Sequence, residues 1–379
     1  MISNHIRTEE TKMKKLIGII FCVILFFGIF FVWNKNDKEE NFKTIQKPTI
    51  KIGVATPLSG MIHKDAEEMK KAMIYIVRNI KNPDINYELI FEDTAGQASK
   101  GISAAKKLIY VDKVNIIISH LSAVSKVISP IATKSNTLHI GTVLDASLND
   151  NPTSFTFWTS ADIKAQKYIK YLKKLGVKQT AVLVLNFATT EKLYEELANE
   201  AKDNNIQLVK YEFSPNQKDY RIDLLKLKEA KHPFITILMY PPELEIIYKQ
   251  MNELGITTPI SAIESFTVSN SPELFENIPY IDTNVGNTKI VEQIRTGAKT
   301  TGTTAFAQLY DILHLIDIIN TNFYKRFNKL PNGKEMADML IKLQNYKGVS
   351  GQVKINSDRR IQPEPAILKI INGHPQAAQ

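Results

Sequence analysis

From Thr49 onward the sequence repeatedly changes period. Residues 50–55 (IKIGVA) are apolar and rich in β-branched side chains, the composition of a strand buried on both faces. Residues 65–80 then place Met69, Ala72, Met73, Ile76, Val77 and Ile80 at helical spacing. The exchange continues with strand 87–92, helix 97–110, strand 114–118, helix 122–133 and strand 138–141. Strands separated by helices of this length cannot pair as hairpins. They require right-handed crossovers and a parallel sheet covered on both faces.

The stretch NDNPTSFTFWTS at 149–160 breaks the rhythm, and a second series follows. It reads as helix 161–175, strand 181–185, helix 190–203, strand 207–211, helix 220–230, strand 234–239, helix 243–254 and strand 260–263. One α/β half thus ends near 159 and a second fills 160–283. Helices are expected at 303–323 and 333–343, and strands at 351–355 and 366–371 on either side of Ser357–Arg360. Open parallel sheets bind ligands at the carboxyl ends of their strands, so two such lobes imply a site in the cleft between them. The turn after the first strand, Thr56-Pro-Leu-Ser-Gly60, lies at that edge, with Ser59 and Gly60 able to approach a ligand.

Charge and motifs narrow the chemistry. The chain carries a formal net charge of +9, but its lysines interleave with acids along helices, as in KDAEEMKKA at 64–72, and no basic stripe with aromatics points to nucleic acid. There is no phosphate-loop, dinucleotide or nucleophile-elbow motif, and the seven histidines nowhere take metal-binding spacing. His120 follows a strand and can reach a cleft, though an ordinary loop histidine is the plainer reading. No cofactor and no enzyme activity is expected. Hydroxyls at strand ends and free N–H groups at helix N-termini suit a carboxylate, and a buried acid in the facing lobe suits an ammonium. Together they describe an amino-acid site.

The N-terminus carries a different signal. Lys12, Lys14 and Lys15 precede Leu16–Trp33, eighteen residues without a charge. As a helix this segment spans about 27 Å, close to the roughly 30 Å hydrocarbon core. Its exit, FFVWNKND, lacks a small-residue cleavage pattern, and Phe21 stands ahead of the only cysteine, Cys22, where a lipoprotein signal wants a small residue. The expectation is a cytoplasmic N-terminus (1–15), a single transmembrane anchor (16–33), a linker (34–48), and the rest of the chain outside the cytoplasmic membrane.

Five segments in order resemble one known family. They are IKIGVATPLSG at 50–60, FEDTAGQASKGISAAKKLI at 91–109, IISHLSAVSKVISPIA at 117–132, NQKDYRIDLLKLKEAKHPFITILMYPPE at 216–243 and GVSGQVKINSDRR at 348–360. The chain from about 50 to 372 looks like the substrate-binding proteins of branched-chain amino acid ABC transporters, the leucine/isoleucine/valine-binding type of periplasmic binding protein. The resemblance implies two Rossmann-like lobes with parallel central sheets, three crossovers and a hinged cleft. Lobe one would be 49–159 and 284–347, and lobe two 160–283 and 348–372. It implies a small, amino acid-like ligand and an ABC permease as partner.

It also implies site residues. Tyr240 stands where the family places an aromatic beside the ligand, and Glu264 where it places the acid that receives the α-ammonium. Ala123 takes the position of a hydroxyl in the third-strand loop, with Ser122 and Ser125 beside it. Thr142 is near the fourth-strand loop, but Leu144 stands at the expected threonine. Asp65 falls about where an aromatic often covers the ligand, and it also suits the N-cap of the following helix. The first turn of the second lobe reads Phe187-Ala-Thr-Thr190 in place of Tyr-Gly. These departures bear on the ligand, with Asp65 hinting at a cationic or amide one. The other reading of the same fold is a membrane-anchored sensor or envelope interaction module.

Overall fold

The computed structural model describes Met13, Gly18 and residues 47–378 apart from 61–62, 144–145, 287 and 301–304. Of the segment 16–33 only Gly18 is among these, so the expected anchor lies outside the described residues. Among the described residues no helix is long and apolar enough to cross a membrane. Pro48–Gln379 forms one compact unit.

Within it the strands in chain order are β1 (Thr49–Thr56), β2 (Asn86–Asp93), β3 (Ile116–His120), β4 (Leu138–Thr142), β5 (Ser154–Phe157), β6 (Gln179–Leu185), β7 (Gln207–Phe213), β8 (Ile235–Leu238), β9 (Ile260–Ala262), β10 (Tyr280–Thr283), β11 (Asn345–Gly348), β12 (Gly351–Ile355), β13 (Arg360–Pro363), β14 (Pro365–Ile371) and β15 (His374–Ala377). The first sheet runs β11-β12-β13-β5-β4-β3-β1-β2. Its β1 to β5 strands are parallel, β13 joins β5 in parallel, and β11 and β12 extend the edge antiparallel. The second sheet is β7-β6-β8-β9, all parallel. A third, antiparallel β10-β14-β15, continues from it through a bridge between Ile263 and Ile281.

Both parallel sheets are sandwiched as their two-sided apolar strands require. Helices His63–Asn79, Phe306–Phe327 and Gly333–Leu343 bury Met73, Ile76, Ile312, Ile316, Met336 and Leu340 against one face of the first sheet. Helices Ala98–Lys106 and Ser122–Lys134 cover the other with Ala104, Val124 and Ile128. In the second lobe helices Ala161–Lys174 and Ala188–Asp203 lie on one face, and Arg221–Glu229 and Glu243–Glu253 on the other.

The chain passes between the two sheet systems after Phe157, Thr283 and Pro363. The three passages run side by side: Thr159 Oγ1 donates to the Pro363 carbonyl at 2.7 Å, and the Asn284 N–H donates to the Glu364 carbonyl at 3.4 Å. The C-terminal segment therefore divides. The expectation put 348–372 wholly with the second lobe, whereas β12 and β13 pair into the first sheet and only β14 packs with the second. The stretch 149–160 that interrupts the sequence rhythm holds β5, a fully buried strand too short to show a period.

Candidate functional site

The carboxyl ends of the two parallel sheets enclose two adjoining cavities, of about 170 and 250 Å³, which share Leu121, Thr142, Trp158 and Gln308 as walls. The first is bounded by Thr56 and Pro57 from the end of β1, His120 from β3, and Asp65 and Met69 from the first helix. The second reaches the other lobe, where Tyr240 and Glu264 follow β8 and β9, and Asp282 and Thr283 end β10. Two of these wall residues have left-handed backbone without being glycine: Leu121 at φ +71° and Glu264 at φ +63°. Such conformations cost on the order of 1–3 kcal/mol each and persist where the surroundings impose them, often at binding sites.

The electrostatic centre is a buried triad. Lys164, from the helix Ala161–Lys174, is fully buried, and its Nζ pairs with Glu264 Oε1 and, at 2.8 Å, with Asp282 Oδ1. Glu264 Oε2 accepts from the Tyr240 hydroxyl at 3.1 Å, and the Trp158 indole N–H points at Oε1 from 3.5 Å. The ammonium also lies 5.4 Å from the centre of the Trp158 ring. Burial alone would push Lys164 down, but the charges of Asp282 and Glu264 outweigh it and hold the ammonium above its ordinary pKa. Burial, with Glu264 adding to it, pushes Asp282 up against the opposing pull of Lys164. Burial also lifts the Tyr240 phenol well above its ordinary range, so it remains a donor.

Around the cavities the buried polar side chains with no partner in the protein are neutral. The Thr56 hydroxyl, both ring nitrogens of His120 and the Thr283 hydroxyl are buried without a hydrogen-bond partner. Burial pushes His120 down to about 4, so near neutral pH the ring is uncharged, with one donor and one acceptor. Behind it His139 bridges the Ser119 hydroxyl at 2.7 Å and the Ser154 hydroxyl at 3.2 Å, and Ser119 also meets Ser125 at 2.7 Å. This network fastens β3, β4 and β5 to the helix Ser122–Lys134 beneath the cavity floor.

The structure gathers Asp65, Ser122, Thr142, Tyr240 and Glu264 around the cavities and leaves Ser59 and Ala123 outside their walls. Ser59 is exposed, and its hydroxyl and N–H both donate to Asp93, at 2.6 and 3.1 Å, which braces the first turn. Asp65 is in the first turn of its helix, which begins at His63, rather than at the N-cap. Ser125 is buried in the hydroxyl network, and Leu144 lies outside the described residues. Sequence reasoning did not single out Trp158, Lys164, Asp282, Thr283, Thr56 or Gln308. For Lys164 a signal exists: it falls on the stripe of Ala161, Ala165, Tyr168 and Leu172, where a lysine has no solvent to reach. Asp282 and Thr283 carry no such mark, because β10 has only four residues. Among the described residues no cluster of three His, Cys, Asp or Glu is placed to hold a metal ion.

The sequence matches the periplasmic binding protein family over residues 49–311. The chain belongs to that family. Solved structures agree in fold. The leucine-binding protein LivK of Thermotoga maritima superposes with a TM-score of 0.71 at 19% identity, covering 87% of this chain and 98% of its own. LivJ of Streptococcus pneumoniae, a branched-chain amino acid transporter substrate-binding protein solved with isoleucine, gives 0.71 at 20%, covering 87% and 99%. An ABC transporter solute-binding protein of Rhodopseudomonas palustris, solved with 3,4-dihydroxybenzoic acid, gives 0.70 at 16%, covering 87% and 96%. Comparison with curated proteins finds no match. As a periplasmic binding protein, the chain has the two parallel-sheet lobes of the fold and a cleft between them.

Proposed function

We propose that this periplasmic binding protein captures a small polar ligand outside the cytoplasm and presents it to an ABC permease. One observation carries the reading. Buried polar side chains from both lobes, Thr56 and His120 from one and Thr283 from the other, face the same cleft with no partner in the protein. A buried hydroxyl or imidazole left unpaired costs about 1–3 kcal/mol, which a ligand's own donors and acceptors recover. The three adjacent passages between lobes form a hinge, and a ligand that touches both lobes favours the closed state by its extra contacts there. Ser122, Thr142 and Tyr240 supply further polar contacts, and the aromatic wall of Trp158 supplies apolar ones. No bond is made or broken in this role, and no cofactor enters it.

The test is a melting-temperature screen of the full-length chain against amino acids, amides, polyols and small carboxylates. A true ligand binds the folded state alone and raises the midpoint with concentration. A flat response across all classes would overturn ligand capture and leave the sensor or envelope-module reading in its place. The segment 16–33 is proposed as a single-pass tether. The expected result is recovery of the protein in the membrane fraction after high-salt and alkaline washes, and release into the soluble fraction would overturn it.

A further inference from the structure

The two acids of the second lobe are already occupied. Glu264 accepts from Lys164 on one oxygen and from Tyr240 on the other, with the Trp158 N–H alongside. Asp282 Oδ1 accepts from Lys164 at 2.8 Å and from the Thr283 N–H at 2.6 Å. Two buried carboxylates beside a cavity would otherwise offer a place for a ligand's ammonium. Here an incoming ammonium meets acceptors that are already shared, and it meets the like charge of Lys164 behind them.

A carboxylate is no better served. Among the described residues lining the two cavities none is Lys or Arg, and three are acids: Asp65, Glu264 and Asp282. The polar groups left unpartnered are uncharged, namely the hydroxyls of Thr56 and Thr283 and the imidazole of His120, each no more than 8% exposed. Hydroxyls and a neutral imidazole offer both donors and acceptors, which match a group that does the same. The rest of the first cavity is mainly apolar, with Pro57, Ala66, Met69, Leu121, Trp158 and Leu309 beside Asp65, Thr142 and Gln308.

We propose that Lys164 is a resident cation in the place a ligand's ammonium would take, and that the cleft selects an uncharged molecule with an apolar body and a hydroxyl or amide head, read by Thr56, His120 and Thr283. This rests on the reading that the cleft binds a small ligand. Amino acids are excluded at the ammonium end by Lys164, and simple carboxylates by the acidic walls.

Melting curves of the full-length chain test this with two matched sets of head groups. One is built on a branched body: isovaleramide, isopentanol, isovalerate, isopentylamine and leucine. The other is built on a ring: benzamide, benzyl alcohol, benzoate, benzylamine and phenylalanine. The expected result is stabilisation of the wild type by an uncharged member, with at least tenfold higher concentrations of its charged counterparts needed for the same shift. Lys164→Met, which uncovers the acids, should invert that order in favour of the amine or amino acid, and Lys164→Arg should restore the wild-type order. Wild-type stabilisation led by an amine, an amino acid or a carboxylate overturns the proposal. If Lys164→Met does not fold, the wild-type order and Lys164→Arg decide it. Silence of every member with both wild type and variant overturns the ligand-capture reading, and this assignment with it.

Discussion

Lys164 determines how the second lobe is built as well as what the cleft accepts. A buried ion pair adds little over an apolar replacement of the whole cluster, but removing one partner leaves the others charged and unsolvated. Lys164→Met should therefore destabilise the fold by about 3–5 kcal/mol, since two carboxylates, Glu264 and Asp282, lose their cation together. Replacing all three by Met, Gln and Asn should cost less than the single change, and denaturant titration measures both. His139 makes a separate contribution. Burial pushes its pKa down to about 3, against an ordinary value of 6.5. Between those values the unfolded chain binds the proton and the folded chain does not. Its contribution is therefore complete above about pH 6.5 and is lost as pH falls toward 3. Midpoints measured by calorimetry from pH 7 to 4 should fall less steeply in His139→Asn than in the wild type. Equal slopes would show that the ring binds its proton alike in the folded and unfolded states.

The element that ties the hinge to lobe one is the turn at Val349-Ser350, between β11 and β12. Asp311, buried within the long helix Phe306–Phe327, accepts the N–H groups of Val349 and Ser350 at 2.7 and 2.9 Å, and the Ser350 hydroxyl as well. Burial raises the Asp311 carboxyl against the pull of these donors. Gly286, three residues past the second passage between lobes, lies against the same turn. A Cβ there would stand 2.3 Å from the Val349 carbonyl oxygen, and its φ is +83°. Both the backbone conformation and the contact forbid a side chain. Gly286→Ala should destabilise by more than about 2 kcal/mol, read as a lowered denaturant midpoint at unchanged slope. The segment GVSG at 348–351 was legible as a motif. Its attachment to Asp311 was not, because the contact joins positions some 40 residues apart through one side chain.

The two lobes and their hinge make a binding protein a two-state object, open or closed. Trp158 stands at the first passage and lines both cavities, so it reports on the cleft. In a Trp33→Phe background, which leaves Trp158 as the sole tryptophan of the two, ligand should shift the emission and small-angle scattering should show a smaller radius of gyration. A ligand that raises the melting point while both readings stay constant would show binding without closure.

The sequence by itself determined the architecture, because burial on both faces of a parallel sheet and the 3.6-residue period of its covering helices are written locally, within ten or twenty positions. The family resemblance also pointed to Tyr240, Glu264, Thr142 and Ser122, and all four line the second cavity. Tertiary structure alone decided what Glu264 faces. Lys164 lies 100 positions before it and Asp282 a further 18 after, so their charges meet only when the first helix of the second lobe packs onto β10. Charge interactions act through space at a few ångströms, and no periodicity along the chain records them.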